Sequence, residues 1–526
     1  MMLAVIAGAA TPTGPVSVSA QARPPASDLL DAAIEAQGGR ARLESVQSVR
    51  LDLMGHAFAL EQSERPEGPW LTIYRQRVET RDHAQGRRRV ETQQRFWSSP
   101  RWSATVSSVV AGGVSASTNG QRWAPGRASD VDDARRALAL APEKLLLTAR
   151  AATDVKTLAG ASLHGVPQDV IGFSAEGLRC RLYLDGYTHL PTMLEYVRDD
   201  AFGIWGDVTE RRWFGYWTLE AGGLLFPRQT SVEWNGVPYT DDTAHAVTVD
   251  APVDDASFVI PDEVADAFEA ARGRPSGMAS LTLDESRAIE IAPWLVQMPG
   301  GFNVALVRQP DGIVVIEGTT SSAYSASVIA AATKRFPGLP IKAVVTTSDA
   351  WPHIGGVREY VARGVPVHAL DLNVAILSRL VEAPHAQSPD TLETAPRKPE
   401  FRPVSRPTTL GSGETRMELI PVRGEMGERM MLIWFPGLDV LYSSDLIQHS
   451  GPGPDAPFFM PEMLMEVATA VHREQLTPSR VFGMHLTPTP WTAITAAIDA
   501  ARRKNDTEER HRESFIHRGT TRTKIP

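Results

Sequence analysis

Val344-Val345-Thr346-Thr347-Ser348-Asp349-Ala350-Trp351-Pro352-His353-Ile354-Gly355-Gly356 is the stretch whose reading decides the fold of the carboxy-terminal half. A β-branched run feeds a polar loop, and a Gly-Gly pair then opens an amphipathic segment, so the spacing predicts strand, loop, helix. Working outward, upstream strands are expected over 294–298, 303–307 and 313–317, a helix over 322–335 and a strand over 341–346. Downstream follow a helix over 356–362, a strand over 365–369, a helix over 372–382 and a Pro-rich stretch over 383–413. Strands are then expected over 417–422, 430–435 and 440–443. A helix over 461–474 has Pro461 at its first position, where the missing N–H costs nothing. A strand over 480–484 and a helix over 491–503 close the pattern. The order is meander, then β/α units, then both again, which predicts two sheets sandwiched by outer helices.

The amino-terminal half has a different rhythm. Ser27 is a plausible N-cap for a helix over 28–37 that Gly38-Gly39 stops. Alternating segments over 46–53, 181–184, 193–197, 212–219 and 247–249 read as strands. Asp185-Gly186, Gly222-Gly223 and Asn235-Gly236 supply turns between them. No βαβ rhythm appears, and the reading is a β-rich domain over 23–275. Residues 262–287, rich in Ala, Asp and Arg, read as a linker. Trp205, Trp213, Trp217 and Trp234, at strand spacing, read as core, with a pocket lining as the alternative.

Two resemblances follow from quoted phrases. Arg181-Leu182-Tyr183-Leu184-Asp185 with Thr188-His189-Leu190-Pro191, and the closing phrase from Val249 to Phe258, resemble the LolA/LolB-like lipoprotein-carrier half-barrels. Such a domain is expected to cradle an apolar ligand. Phe302-Asn303-Val304-Ala305-Leu306, Gly312 to Glu317 and the loop ending His353-Ile354-Gly355-Gly356 resemble the metallo-β-lactamase superfamily. So does Met430 to Pro436 followed by Asp439 to Asp445. That resemblance covers about 288–503 and implies an αββα sandwich over 276–504, with hydrolysis by a metal-bound hydroxide.

The implied ligands are mostly replaced. Aligned on His353, the family's H-x-H-x-D-H loop puts Ser348 and Ala350 where its first two histidines stand and Pro352 in place of its aspartate. Met426 falls at the next histidine. One metal therefore loses all three histidines to serine, alanine and methionine, none of them a competent ligand for a hard divalent ion. For the other metal His353, Asp445 and His485 remain, which is enough for one zinc or iron ion with open positions. Asp349, one position out of register, is a candidate substitute ligand or base beside Asp445. The same residues also read as a metal-free relic: His353 capping a helix, Asp445 accepting backbone N–H groups, His485 simply hydrogen-bonded. Both readings stand at this level. His449, four residues after Asp445, reads as a solvent-facing loop histidine.

Composition sets outer bounds. The chain has 526 residues, 53 Lys and Arg against 62 Asp and Glu, and 42% hydrophobic residues. That usage is globular, and a net charge of −9 leaves no footprint for nucleic acid. One cysteine, Cys180, excludes an internal disulfide framework and a Cys-rich zinc site. No run is long enough for a spanning helix. Residues 1–22, apolar and ending Ala20-Gln21-Ala22, read as a signal peptide without the usual basic start, so export to the periplasm or medium is expected. Residues 505–526 read as a polar tail. Three functions follow: a divergent hydrolase of a small ester or lactone, an inactive relative that binds a small molecule or partner, and a carrier of an apolar ligand.

Overall fold

The structure is a computed structural model that describes residues 23–60, 68–96, 101–200, 204–274, 280–449 and 456–503. The expected signal peptide over 1–22 and tail over 505–526 lie outside them. The chain is mixed helix and strand, and it builds three sheets.

The amino-terminal half forms one 14-stranded sheet in which every described pairing is antiparallel. The strands expected at 46–53, 212–219 and 247–249 are present but longer, as Ser48–Phe58, Asp207–Glu220 and Val237–Val249. The first helix is Ala26–Gln37, with Pro25 at its N-cap. Ser27 lies inside it and donates to Asp28, while Gly38 at φ 130° ends it. Two further helices, Ala128–Ala139 and Pro142–Ala151, escaped the sequence reading. The first is rich in Ala, Asp and Arg and carries little apolar signal, while the second opens on Pro142 and buries Leu145, Leu146 and Ala149. Leu30, Ile34, Leu145 and Leu146 from the helices meet Leu51, Ile171, Leu182 and Phe226 from the sheet in one buried core. The expected linker over 262–287 instead contains a helix, Asp262–Ala271, whose Val264 and Phe268 are buried. Its two acidic residues in the first turn favour the positive end of the helix dipole.

The carboxy-terminal half has a seven-stranded sheet and a six-stranded sheet. In the first, Gly312–Ile316, Ile341–Val345, Val367–Leu370 and Phe401–Val404 run parallel. In the second, Val440–Tyr442 and Arg480–Gly483 do so. Parallel strands need crossovers, and helices Ser322–Arg335, Val357–Ala362 and Pro461–Arg473 supply them. Strand residues alternate between two buried faces, which explains the unbroken apolar runs. Leu295, Val307, Val314 and Val345 face Leu419, Ile433, Phe435 and Phe482 across a core between the sheets. Val296, Leu306, Val315 and Val344 face the other way, onto Val328, Val357 and Leu377 of the helices. Leu432, Leu441 and Val481 pack outward on Leu464, Val467 and Ile494. Each fully buried side chain of this size contributes roughly 1.5–3 kcal/mol.

The two halves share a core. Ile204, Trp205, Val208 and Trp234 belong to the same buried cluster as the outer face of the seven-stranded sheet. Arg379 stacks on Trp205 at 4.5 Å, and both Asp207 carboxylate oxygens accept backbone N–H groups, of Ala386 and Gln387, at 3.0 Å. Trp205 and Trp234 are thus core residues, with roles in the joint between halves. The Pro-rich stretch is ordered by Arg358, which donates to Asp390 at 2.7 and 2.9 Å and to the carbonyls of Val381 and Ala383.

Candidate functional site

Four strands, two from each sheet, end at one place. Glu317 follows Gly312–Ile316, the 346–350 loop follows Ile341–Val345, Asp445 follows Val440–Tyr442, and His485 follows Arg480–Gly483. The carboxyl ends of parallel strands, where loops diverge, are the usual place for chemistry in such sheets.

The chain bends sharply to reach it. Glu317 has φ 83°, Thr320 φ 49° and Ser444 φ 54°. Left-handed backbone at residues other than glycine costs about 1–3 kcal/mol each and persists where surrounding structure enforces it. Segment 318–321 is stitched to the His353 loop by Gly318 N–H to His353 O at 3.0 Å and Gly356 N–H to Gly318 O at 2.9 Å. A Cβ at Gly355 would lie 2.4 Å from Thr320 O, so the His353-Ile354-Gly355-Gly356 phrase lets two backbones touch.

These bends assemble a linear chain of ionisable groups. His353 is fully buried, with Nδ1 2.9 Å from Glu317 Oε2 and Nε2 3.1 Å from Asp445 Oδ2. Both contacts fall outside in-line hydrogen-bond geometry and hold as ion pairs. The other Asp445 oxygen, Oδ1, lies 2.8 Å from His485 Nε2. Glu317, buried, also accepts from Tyr442 OH at 2.8 Å and from the Thr347 hydroxyl, which sits 2.7 Å from Ser444 Oγ. Burial alone would push the His353 imidazolium down. The carboxylates of Glu317 and Asp445 outweigh burial and hold it up at about 10. Burial likewise pushes the Asp445 carboxyl up, but His353 and then His485 reverse this and hold it well below the carboxylate range. Burial and the neighbouring Glu317 charge raise the Tyr442 phenol well above its usual value.

The structure brings together three of the residues singled out in the sequence, His353, Asp445 and His485, and adds Glu317. Asp349 is buried too, and its carboxylate faces a cation, with Oδ2 3.9 Å from Arg429 Nε. Ser348 Oγ accepts the Ala350 N–H at 3.2 Å, and Pro352 is buried in the short helix Trp351–Ile354. Met426 packs on the outer core of the six-stranded sheet, its N–H held by Glu466 at 2.7 Å. His449 is partly buried, stacked on Phe458 at 4.6 Å and 2.7 Å from Ala456 O through Nδ1. Glu317 was missed as a functional residue. A carboxylate ending an unbroken apolar strand was the available signal, because a buried charge demands a partner.

Among the described residues no group of three or more His, Cys, Asp and Glu is arranged to hold a metal ion. The donor set explains this. Both His353 nitrogens face carboxylates, His485 Nε2 is directed at the same Asp445, and Ser348, Ala350 and Met426 bring no competent donor. As arranged, these residues do not fit the divalent ion that the resemblance implies. What they do offer is one oriented imidazole. The His485 side chain is 28% exposed, is fixed by Asp445 and lies edge-on to Phe302 at 5.4 Å. The Thr347 and Ser444 hydroxyls of the cluster are fully buried and bonded within it.

No protein-family model matches the chain, and no curated protein matches it. Solved structures of metallo-β-lactamase-fold proteins do. A metallo-β-lactamase from Pontibacter korlensis is 15% identical, covering 41% of this chain and 97% of that one, with a TM-score of 0.32. One from Erythrobacter litoralis, with β-mercaptoethanol in its active site, is 14% identical, covering 41% and 96%, at 0.31. The stereoselective inverting sec-alkylsulfatase Pisa1 from Pseudomonas sp. is 15% identical, covering 45% of each chain, at 0.32. These likenesses are confined to less than half of the chain and assign no activity to it.

Proposed function

We propose that this is an exported two-domain binding protein. Its carboxy-terminal half is an αββα domain of the metallo-β-lactamase type whose metal centre has decayed into an ion-pair chain, and its amino-terminal half is a carrier-like sheet domain. One observation carries the reading: His353, the last residue of the ligand loop to keep its identity, is buried between Glu317 and Asp445 at 2.9 and 3.1 Å. A buried imidazolium satisfied by two carboxylates is a stabilising cluster, and it occupies the place where a metal would need a free nitrogen lone pair. Hydrolysis of an ester or lactone also needs an activated nucleophile, and the hydroxyls at the cluster face inward.

A second reading rests on a specific contact. His353 and His485 both direct Nε2 at Asp445, so the three donors that a single zinc or iron ion would use already meet, with Glu317 behind His353 as the orienting carboxylate. Elemental mass spectrometry separates the two. Protein purified without chelator, then offered zinc, iron or manganese, is expected to hold close to no metal per chain and to leave ester and lactone panels unhydrolysed. A ratio near one that disappears in His353→Ala and His485→Ala, with turnover lost alongside it, would overturn the proposal in favour of a mononuclear hydrolase. Export is read separately, from a mature amino terminus at Arg23.

A further inference from the structure

The amino-terminal domain holds a cavity of about 230 Å³ beneath its large sheet, far along the chain from the ion-pair cluster. Six arginines line it, namely Arg75, Arg77, Arg81, Arg88, Arg212 and Arg228, against two carboxylates, Glu79 and Asp242. The pattern comes directly from the sequence. Arg75, Arg77, Glu79 and Arg81 alternate along the strand Thr72–Asp82, so all four point to one face. Arg88 stands opposite Arg81 on the next strand.

The carboxylates are shared. Asp242 Oδ2 accepts from Arg75 at 3.0 Å and from Arg77 at 2.8 Å, and Glu79 Oε1 accepts from Arg81 and Arg88 at 2.9 Å each. Arg81, Arg212 and Arg228 also pair with Glu143, Glu210 and Glu220 outside the lining, so the excess positive charge lies on Arg75 and Arg77, which share Asp242 alone. Nε of Arg75 and Nε of Arg77 are buried and without a hydrogen-bond partner. Burial pushes the Arg77 guanidinium below its usual range, against the pull of Asp242, which is the mark of a cation short of counter-charge. Gly55, opposite Arg75, preserves the arrangement. A Cβ there would lie 2.5 Å from Asp242 Oδ1 and would drive the carboxylate away. The other side of the cavity is apolar, with Leu51, Leu53, Phe214 and Phe226. At about 30 Å³ per water-sized group, the volume takes roughly seven or eight such groups, enough for a head group and the first few carbons of an alkyl chain whose remainder extends out of the cavity.

We propose that this cavity binds a small amphiphile by its acidic head group, the guanidinium forks of Arg75 and Arg77 taking an oxyanion (phosphate, sulfate or carboxylate) while Leu51, Leu53, Phe214 and Phe226 cover its alkyl part. Guanidinium forks match the two-oxygen edge of such anions, and a neutral lipid would leave the second charge of the Arg75 and Arg77 pair without a counter-charge. The occupant is thus acidic, where the carrier resemblance alone implies an apolar one.

Calorimetric titration of the full mature chain with hexyl phosphate, hexanol and inorganic phosphate tests this. Hexyl phosphate is expected to bind at least tenfold more tightly than inorganic phosphate, hexanol to give no saturable heat, and added salt to weaken binding. Arg77→Gln is expected to weaken hexyl phosphate at least tenfold, and Arg77→Lys, which keeps the charge but loses the fork, by an intermediate factor. Thermal melting of each variant shows whether it is folded, and Arg75→Gln serves if Arg77→Gln is not. Equal affinity for hexanol would overturn the proposal in favour of a purely apolar carrier, and equal affinity for inorganic phosphate in favour of a free-anion site. No binding of any of the three, or binding unchanged in folded Arg77→Gln and Arg75→Gln, would refute it outright.

Discussion

Glu317→Gln removes one charge from the ion-pair chain while keeping the shape of the side chain. Glu317 is buried, faces His353 Nδ1 at 2.9 Å and accepts from Tyr442 OH at 2.8 Å. The glutamine carbonyl can still face His353, and the Tyr442 and Thr347 hydroxyls can turn to accept its NH2 group, so the loss is chiefly that of charge. A hydrogen bond to an ionised group contributes about 1.5–3 kcal/mol against 0.5–1.5 kcal/mol for a neutral one. Breaking a buried pair outright costs about 3–5 kcal/mol. Because His353 keeps Asp445, the expected cost lies between these, at about 2–3 kcal/mol. With urea slopes of about 1–3 kcal/mol per molar, the unfolding midpoint falls by roughly 1 M. The pH dependence adds a second readout. Glu317 and Asp445, acting against burial, raise His353 from 6.5 to about 10 in the folded state, so its contribution to stability is complete below about 6.5 and is lost as pH rises through about 10. With Glu317 neutral the loss sets in at lower pH. Urea unfolding at pH 6, 8 and 10, followed by near-UV circular dichroism, is therefore expected to show the largest gap between wild type and variant at pH 6 and the smallest at pH 10. An unchanged midpoint, or a gap that does not vary with pH, would refute the claim that His353 is held as a buried imidazolium.

The Pro-rich stretch offers two further tests. Arg358→Met, at a side chain only 2% exposed, strands the Asp390 carboxylate and three backbone carbonyls, and about 3–5 kcal/mol is expected to be lost, with faster proteolysis within 383–400. Burial pushes the Asp390 carboxyl up, but Arg358, with help from the Glu393 N–H and Ser322, holds it down at about 2. Its stabilising effect is then present above about 3.8 and lost as pH falls through about 2. Acid titration of the wild-type unfolding midpoint is expected to show a step there that is missing from Asp390→Asn.

The carboxy-terminal elements were legible because their strands are buried on both faces. Val314, Val315 and Ile316 leave no doubt of a strand whichever sheet face they serve, and the helix expected over 322–335 is found as Ser322–Arg335. Helix 128–139 was not legible, since Ala134 and Leu138 are too sparse a stripe without the sheet they cover, and 142–151, with Leu145, Leu146 and Ala149 buried, was passed over. The meeting of His353, Asp445 and His485 was implied by the metallo-β-lactamase resemblance, which sets ligand residues at strand ends. The role of Glu317 was not, because it depends on a left-handed bend and on Tyr442, which lies 125 residues away in sequence and under 3 Å away in space. Nor was the arginine cavity. Arg75, Arg77 and Arg81 look like a solvated strand face until Ala137, Ala141 and Pro142, where the two helices meet, close over them.

The contrast between the two charged sites bears on where this protein does its work. At the ends of the carboxy-terminal strands, His353 supplies the cation that Glu317 and Asp445 require, His485 fills the remaining Asp445 oxygen, and Tyr442 and Thr347 saturate Glu317. Glu317, His353 and Asp445 each face an opposite charge within the cluster, outside in-line hydrogen-bond geometry. In the amino-terminal cavity Arg75 and Arg77 share the single carboxylate of Asp242, in a niche that Gly55 keeps clear. Under the proposed reading, His353 is a structural residue and Arg75 and Arg77 are the ones that seek a ligand.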